Sequence, residues 1–121
     1  MSLRVAVVGL GGIGNTHAGV YMKREDCELV AVCDIVQERT DKAAEKYGCP
    51  GFYTIAEMLA SGIQIDAVSV CSAGVENGGD HYVPTMEILA AGIPVLGEKP
   101  ISNNITHAEE MVALAKEKNL R

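Results

Sequence analysis

The 121-residue chain has no tryptophan, one phenylalanine (Phe52) and four tyrosines, so its core has to be built from Val, Ile, Leu, Ala and Met. It also lacks any stripe of Lys and Arg interleaved with aromatics. With a formal net charge of −6, that lack excludes a nucleic-acid partner, because phosphate backbones are held by clustered positive charge. No apolar run reaches membrane-spanning length, and the N-terminus lacks the basic-then-apolar layout of a secretory leader. A membrane partner is therefore not expected. Nor is there a C-x-x-C pair among Cys27, Cys33, Cys49 and Cys71. Cys33 and Cys71 lie inside apolar, strand-like runs, where a reduced thiol behaves as a small hydrophobe. Neither a disulfide nor a metal site is expected, and reduced cysteines point to a cytoplasmic location.

What the chain does contain is the balance of one globular domain over residues 1–121, with 48% hydrophobic and 21% charged residues. Strand-like and helix-like segments alternate along it. Arg4–Val8, Leu29–Cys33 and Ala67–Cys71 are short, β-branched and apolar at successive positions. Strands apolar on both faces belong to parallel sheets covered by helices on each side. Phe52-Tyr53 and Val95-Leu96 are shorter candidates, each after a Gly or Pro break.

Helices are expected over 13–24, over 36–47 with Gly48 as the stop, from Thr54 to about Ala60, and from about His81 to Ala91. A fifth opens with Thr106 and Glu109 as a capping box and turns Ile105, Ala108, Met111, Val112 and Ala115 to one face. Such alternation predicts a Rossmann-type, doubly wound α/β sheet in three layers, with strand order 3-2-1-4-5 and no sixth strand.

Three short motifs carry chemistry. Gly9-Leu10-Gly11-Gly12-Ile13-Gly14 is G-x-G-x-x-G, a weak signal alone. Here it follows a buried strand and opens a helix, the setting in which its glycines form a dinucleotide site. Gly9 permits the tight turn, Gly11 admits a pyrophosphate, and Gly14 lets helix and strand pack closely. Asp34 stands 20 residues after Gly14 at the end of the second strand, where an acid binds the adenosine ribose and repels the extra phosphate of NADP. A helix N-cap is the alternative role for it. Arg39 reads as a solvated helix-face residue. Glu98-Lys99-Pro100 follows the last strand at the sheet's carboxyl edge, and on composition alone it is ordinary surface vocabulary.

Taken together, Val7–Gly14, Ala31–Asp34 and Gly97–Pro100 resemble the glucose–fructose oxidoreductase and inositol dehydrogenase family over the whole chain. The resemblance implies an NAD-binding domain (NADP less so) from a longer two-domain, homo-oligomeric enzyme acting on a sugar or polyol. It implies hydride transfer at a secondary alcohol, with Lys99 in proton transfer and Glu98 and Pro100 shaping the turn that presents it. Ser72, Ala73 and His81 look like the family's positions on the nicotinamide side. The intervening loop, residues 74–80, is longer than the family pattern, lacks its proline and is expected to be mobile. A first-turn helix residue is the alternative for His81. His17 reads as an ordinary helix residue that could lie near the cofactor, and His107 as surface. The rival to an enzyme is a stand-alone NAD-binding regulatory module, which would keep the glycines and Asp34 without needing Glu-Lys-Pro. On its own the chain is expected to bind cofactor without turnover.

Overall fold

A computed structural model describes residues 2–72 and 81–121. Its described elements are β1 (Leu3–Val8), α1 (Gly12–Lys23), β2 (Cys27–Cys33), α2 (Gln37–Tyr47), β3 (Gly51–Phe52), α3 (Ile55–Ala60), β4 (Ala67–Val70), α4 (Tyr82–Ala90), β5 (Val95–Gly97) and α5 (Ile105–Glu117). The strands are parallel and ordered β3-β2-β1-β4-β5. This is the expected doubly wound architecture. The register sets Val8 beside both Cys33 and Val70. The residues that follow these three strands, Gly9, Asp34 and Cys71, therefore meet at one edge of the sheet.

Alternation along the central strands splits the core in two. Ala6, Val8, Ala31, Cys33, Val68 and Val70 face Met58 of α3 and Ile88 of α4. Val7, Leu29 and Val32 face Ala18 of α1 and Ala43 and Tyr47 of α2. A helix as short as α3 is not stable alone. Burying Met58 completely contributes about 2 kcal/mol, and that packing holds the helix in place.

Helix ends follow local chemistry. Gly48 closes α2 at φ +67, a left-handed conformation suited to glycine, and Thr54 caps α3 by accepting from the Glu57 amide. The expected start of α5 is corrected. Asn104, not Thr106, is the N-cap, accepting from the His107 amide at 3.2 Å. Its short side chain reaches that amide from one turn upstream, so the helix begins two residues before the Thr-x-x-Glu frame. Within the α5 stripe Met111 is buried, while Ile105 and Val112 stay exposed. His107 is not simply surface: its half-buried ring stacks on Tyr82, with centroids 3.9 Å apart and planes at 14°. Beside β5, the Val95 amide donates to the Arg121 carbonyl at 2.9 Å.

Candidate functional site

The turn after β1 contains two kinds of glycine. Gly9 has φ +92, and a Cβ there would lie 2.4 Å from the Ser72 nitrogen. At Gly14 a Cβ would lie 1.7 Å from the Gly9 carbonyl oxygen. Both are therefore required by packing, as the motif predicts for the turn and for helix–strand contact. At Gly11 and Gly12 a Cβ would meet nothing within 4 Å. These two border open space, and α1 opens there without a side-chain cap and without an acidic residue in its first turn. First-turn amides and the positive end of the helix dipole thus remain available to an anion.

Sequence reasoning missed the brace behind this turn. The Asn15 side-chain amide donates to the carbonyls of Leu10 and Gly11 at 2.9 and 3.0 Å. Its own oxygen accepts from the Tyr47 hydroxyl at 2.8 Å. The only signal was an Asn just past the glycine motif and an aromatic at the end of α2.

Asp34 is 7% exposed at the carboxyl end of β2. It is not the N-cap of α2, a position taken by Val36. One carboxylate oxygen accepts from the Leu10 amide and the other from the Val36 amide, each at 2.8 Å. The acid therefore ties the glycine turn to the start of α2, and each oxygen keeps further acceptor capacity toward the groove.

At the opposite end lie Ser72, His81, Glu98 and Lys99. His81 is buried, with Nε2 2.7 Å from the Ser72 carbonyl and Nδ1 2.8 Å from the Pro100 carbonyl. It stands at the N-cap position of α4 without capping it through the side chain, and its ring links two loops. The Glu98 amide donates to the Val70 carbonyl at 3.1 Å. The Glu98 carboxylate accepts from His17 Nε2 at 3.0 Å and from the Lys99 amide at 3.3 Å. The His17 hydrogen bond holds the Glu98 carboxyl below its usual range. This pairing of α1 with the turn after β5 had no signal in the sequence beyond the two residue types. Lys99 is exposed. Ala73 and the loop 74–80 lie outside the described residues.

A single groove of about 1060 Å³ runs from Gly9–Ile13 and Asp34 past Ser72 and His81 to Glu98 and Lys99. Ile35, Val36 and Ile55 give it an apolar lobe beyond Asp34. An anion cradle, a carboxylate and an apolar lobe in sequence fit a dinucleotide: diphosphate, ribose and adenine. Burial pushes the Cys33 and Cys71 thiols up to about 12, so both stay protonated beside the groove. Among the described residues, no three His, Cys, Asp or Glu side chains form a candidate metal-binding group, and no helix is long and apolar enough to cross a membrane.

Known proteins agree with this geometry. The family model described as an oxidoreductase family with an NAD-binding Rossmann fold matches residues 3–121. The chain belongs to this family. It is 37% identical over 115 residues to the D-glucoside 3-dehydrogenase of Escherichia coli, covering 94% of this chain and 32% of that protein. The WlbA dehydrogenase from Bordetella pertussis, solved with NADH and UDP-GlcNAcA, superposes with a TM-score of 0.90 at 28% identity, over 100% of this chain and 36% of that one. A mutant 3-ketoreductase from Actinomadura kijaniata, solved with TDP-benzene and NADP, has a TM-score of 0.86 at 25% identity, over 99% and 37%. The chain spans about a third of the length of the relatives it matches. It is an NAD-binding oxidoreductase domain.

Proposed function

We propose that residues 1–121 form the cofactor half of a two-domain, homo-oligomeric cytoplasmic dehydrogenase that moves hydride between NAD and a sugar, polyol or related secondary alcohol. The observation that carries this reading is the one groove that joins the open glycine turn and Asp34 to Glu98 and Lys99. Bound there, NAD supplies the hydride acceptor. The residues of this chain bind and orient it. Amides of the Gly11–Gly14 turn hold the diphosphate, Asp34 holds the adenosine ribose, and the lobe at Ile35 and Val36 covers the adenine. Ser72, Ala73, His81 and Glu98 shape the nicotinamide end. Lys99, exposed where the turn after β5 opens, exchanges the hydroxyl proton of the substrate.

Asp34 also supports NAD over NADP. A second negative charge about 4 Å from its carboxylate, at an effective dielectric of about 20, is disfavoured by roughly 4 kcal/mol before screening. Titration of this chain with NADH and NADPH tests the reading. NADH should bind at least about tenfold more tightly, and Asp34→Ser should narrow the gap. Equal affinities in the starting protein would refute the assignment of Asp34. For Lys99, the Lys99→Ala variant of the two-domain enzyme should lose turnover with NAD affinity nearly unchanged. Normal turnover would remove Lys99 from the mechanism.

A further inference from the structure

Glu98 lines the groove at the end away from the glycine turn. Its backbone is fixed to β4 by the bond from its amide to the Val70 carbonyl. Its side chain is fixed by something else. One carboxylate oxygen meets His17 Nε2 at 3.0 Å, and the other receives the Lys99 amide. An ionised carboxylate only accepts, so His17 Nε2 carries the proton that makes the bond. His17 belongs to α1, the helix whose first turn borders the glycine loop, and it does not line the groove. Only 16% of its side chain is exposed, against 24% for Glu98, so water competes little for the bond. Its ring also meets Tyr21 edge-on, with centroids 6.4 Å apart, and the Tyr21 hydroxyl is bonded to Ser69 of β4. The imidazole is therefore held from behind while it holds Glu98 in front.

We propose that His17 is a positioning residue for the nicotinamide end of the cofactor site: by fixing the Glu98 carboxylate it sets the turn that carries Lys99. This rests on the cofactor-binding reading above. The phosphate-binding helix and the Glu98–Pro100 turn, which are 81 positions apart at this pair, then move as one body. A dinucleotide that seats its diphosphate on α1 finds the far wall already placed. A ligand that ends at the diphosphate gains nothing from the bond.

That difference supplies the test. NADH and ADP are titrated against the unsubstituted chain, His17→Ala and His17→Gln, with circular dichroism to check folding. ADP ends at the diphosphate, so it can use the glycine turn and Asp34 but carries no group for the Glu98 end of the groove. The expected result for His17→Ala is about a tenfold loss of NADH affinity, the scale of one hydrogen bond to a charged group, with ADP affinity within about twofold. Gln places an amide donor near the position of Nε2, so His17→Gln should recover most of the NADH affinity. Equal losses for both ligands, no loss for either, or an alanine loss that Gln does not repair would each overturn the proposal. If His17→Ala does not fold, the Gln variant decides alone: NADH affinity within about threefold of the starting chain supports positioning by this bond, and a larger loss refutes it. Failure of both NADH and ADP to bind the unsubstituted chain would instead overturn the cofactor reading, and this proposal with it.

Discussion

At the scale of single residues, the four glycines of one turn answer to different forces. Gly14 has no room for a methyl group, because the atom it would strike is the backbone oxygen of Gly9 at 1.7 Å. Backbone cannot rotate away as a side chain can. Gly14→Ala should therefore cost at least about 3 kcal/mol of stability, the upper range of overpacking. Gly11→Ala faces open space and should leave stability within about 1 kcal/mol while weakening NADH binding, since the methyl occupies the diphosphate's approach. Thermal melts and NADH titrations of the two variants check this. A Gly14→Ala protein as stable as its parent would contradict the packing argument. Asp34 is similarly double-edged. Its carboxylate satisfies two backbone amides, so Asp34→Ala should lose about 1–3 kcal/mol for the amides left without an acceptor, apart from any change in cofactor choice.

Elements carry their own test. The alternation that buries Cys33 toward α3 and α4 places Cys71 toward α1 and α2, and burial raises both thiols to about 12. At pH 8 both thiols are then almost wholly protonated and unreactive. In the folded chain, Cys33 and Cys71 should resist iodoacetamide, while half-buried Cys27 reacts first. Mass spectrometry of the labelled peptides decides it, and rapid labelling of Cys33 without unfolding would count against the two-layer core. The bond from α1 to the turn after β5 gives a second readout. Because His17 lowers the Glu98 carboxyl, the stabilisation from that carboxylate is complete above its ordinary value of 4.5 and is lost as pH falls through the lowered folded value. Glu98→Gln should flatten this part of the acid limb of a melting-temperature profile. An unchanged acid limb would show that the pair adds no pH-dependent stability.

These elements also show what a sequence reveals. Strands such as Ala67–Val70 and the glycine turn were legible because their signals are local: apolar runs, a turn motif, a helix stop at Gly48. The cap of α5 was misplaced because Ser102, Asn104 and Thr106 all offer capping oxygens within five residues, and geometry alone chose Asn104. Asn15–Tyr47 and His17–Glu98 join positions 32 and 81 residues apart. No period or motif links such pairs before the strands are ordered. Asp34 was legible as an acid at the right place, but its bond to Leu10 depends on β1 and β2 lying side by side.

For the whole molecule, the consequence is that the groove is built from segments that only the complete sheet brings together. Gly9 follows β1, Asp34 follows β2, Ser72 follows β4 and Glu98 follows β5. Unfolding scatters all four, so the unfolded chain has no comparable affinity for a dinucleotide. Ligand that binds only the folded state stabilises it by mass action, by about 2.7 kcal/mol at a hundredfold excess over Kd. For a domain of this length, about 1 kcal/mol shifts Tm by roughly 3–5 °C. NADH at that excess should therefore raise Tm by about 10 °C. NADPH at the same concentration should raise it less, because the Asp34 carboxylate opposes the 2′-phosphate. ADP should recover much of the NADH shift, since the glycine turn and Asp34 hold that part of the dinucleotide. Scanning calorimetry with the three ligands reads all of this in one experiment. No shift with NADH would mean that these four strand ends do not assemble a cofactor site. A larger shift with NADPH would mean that Arg39, which also lines the groove, outweighs Asp34 in choosing the cofactor.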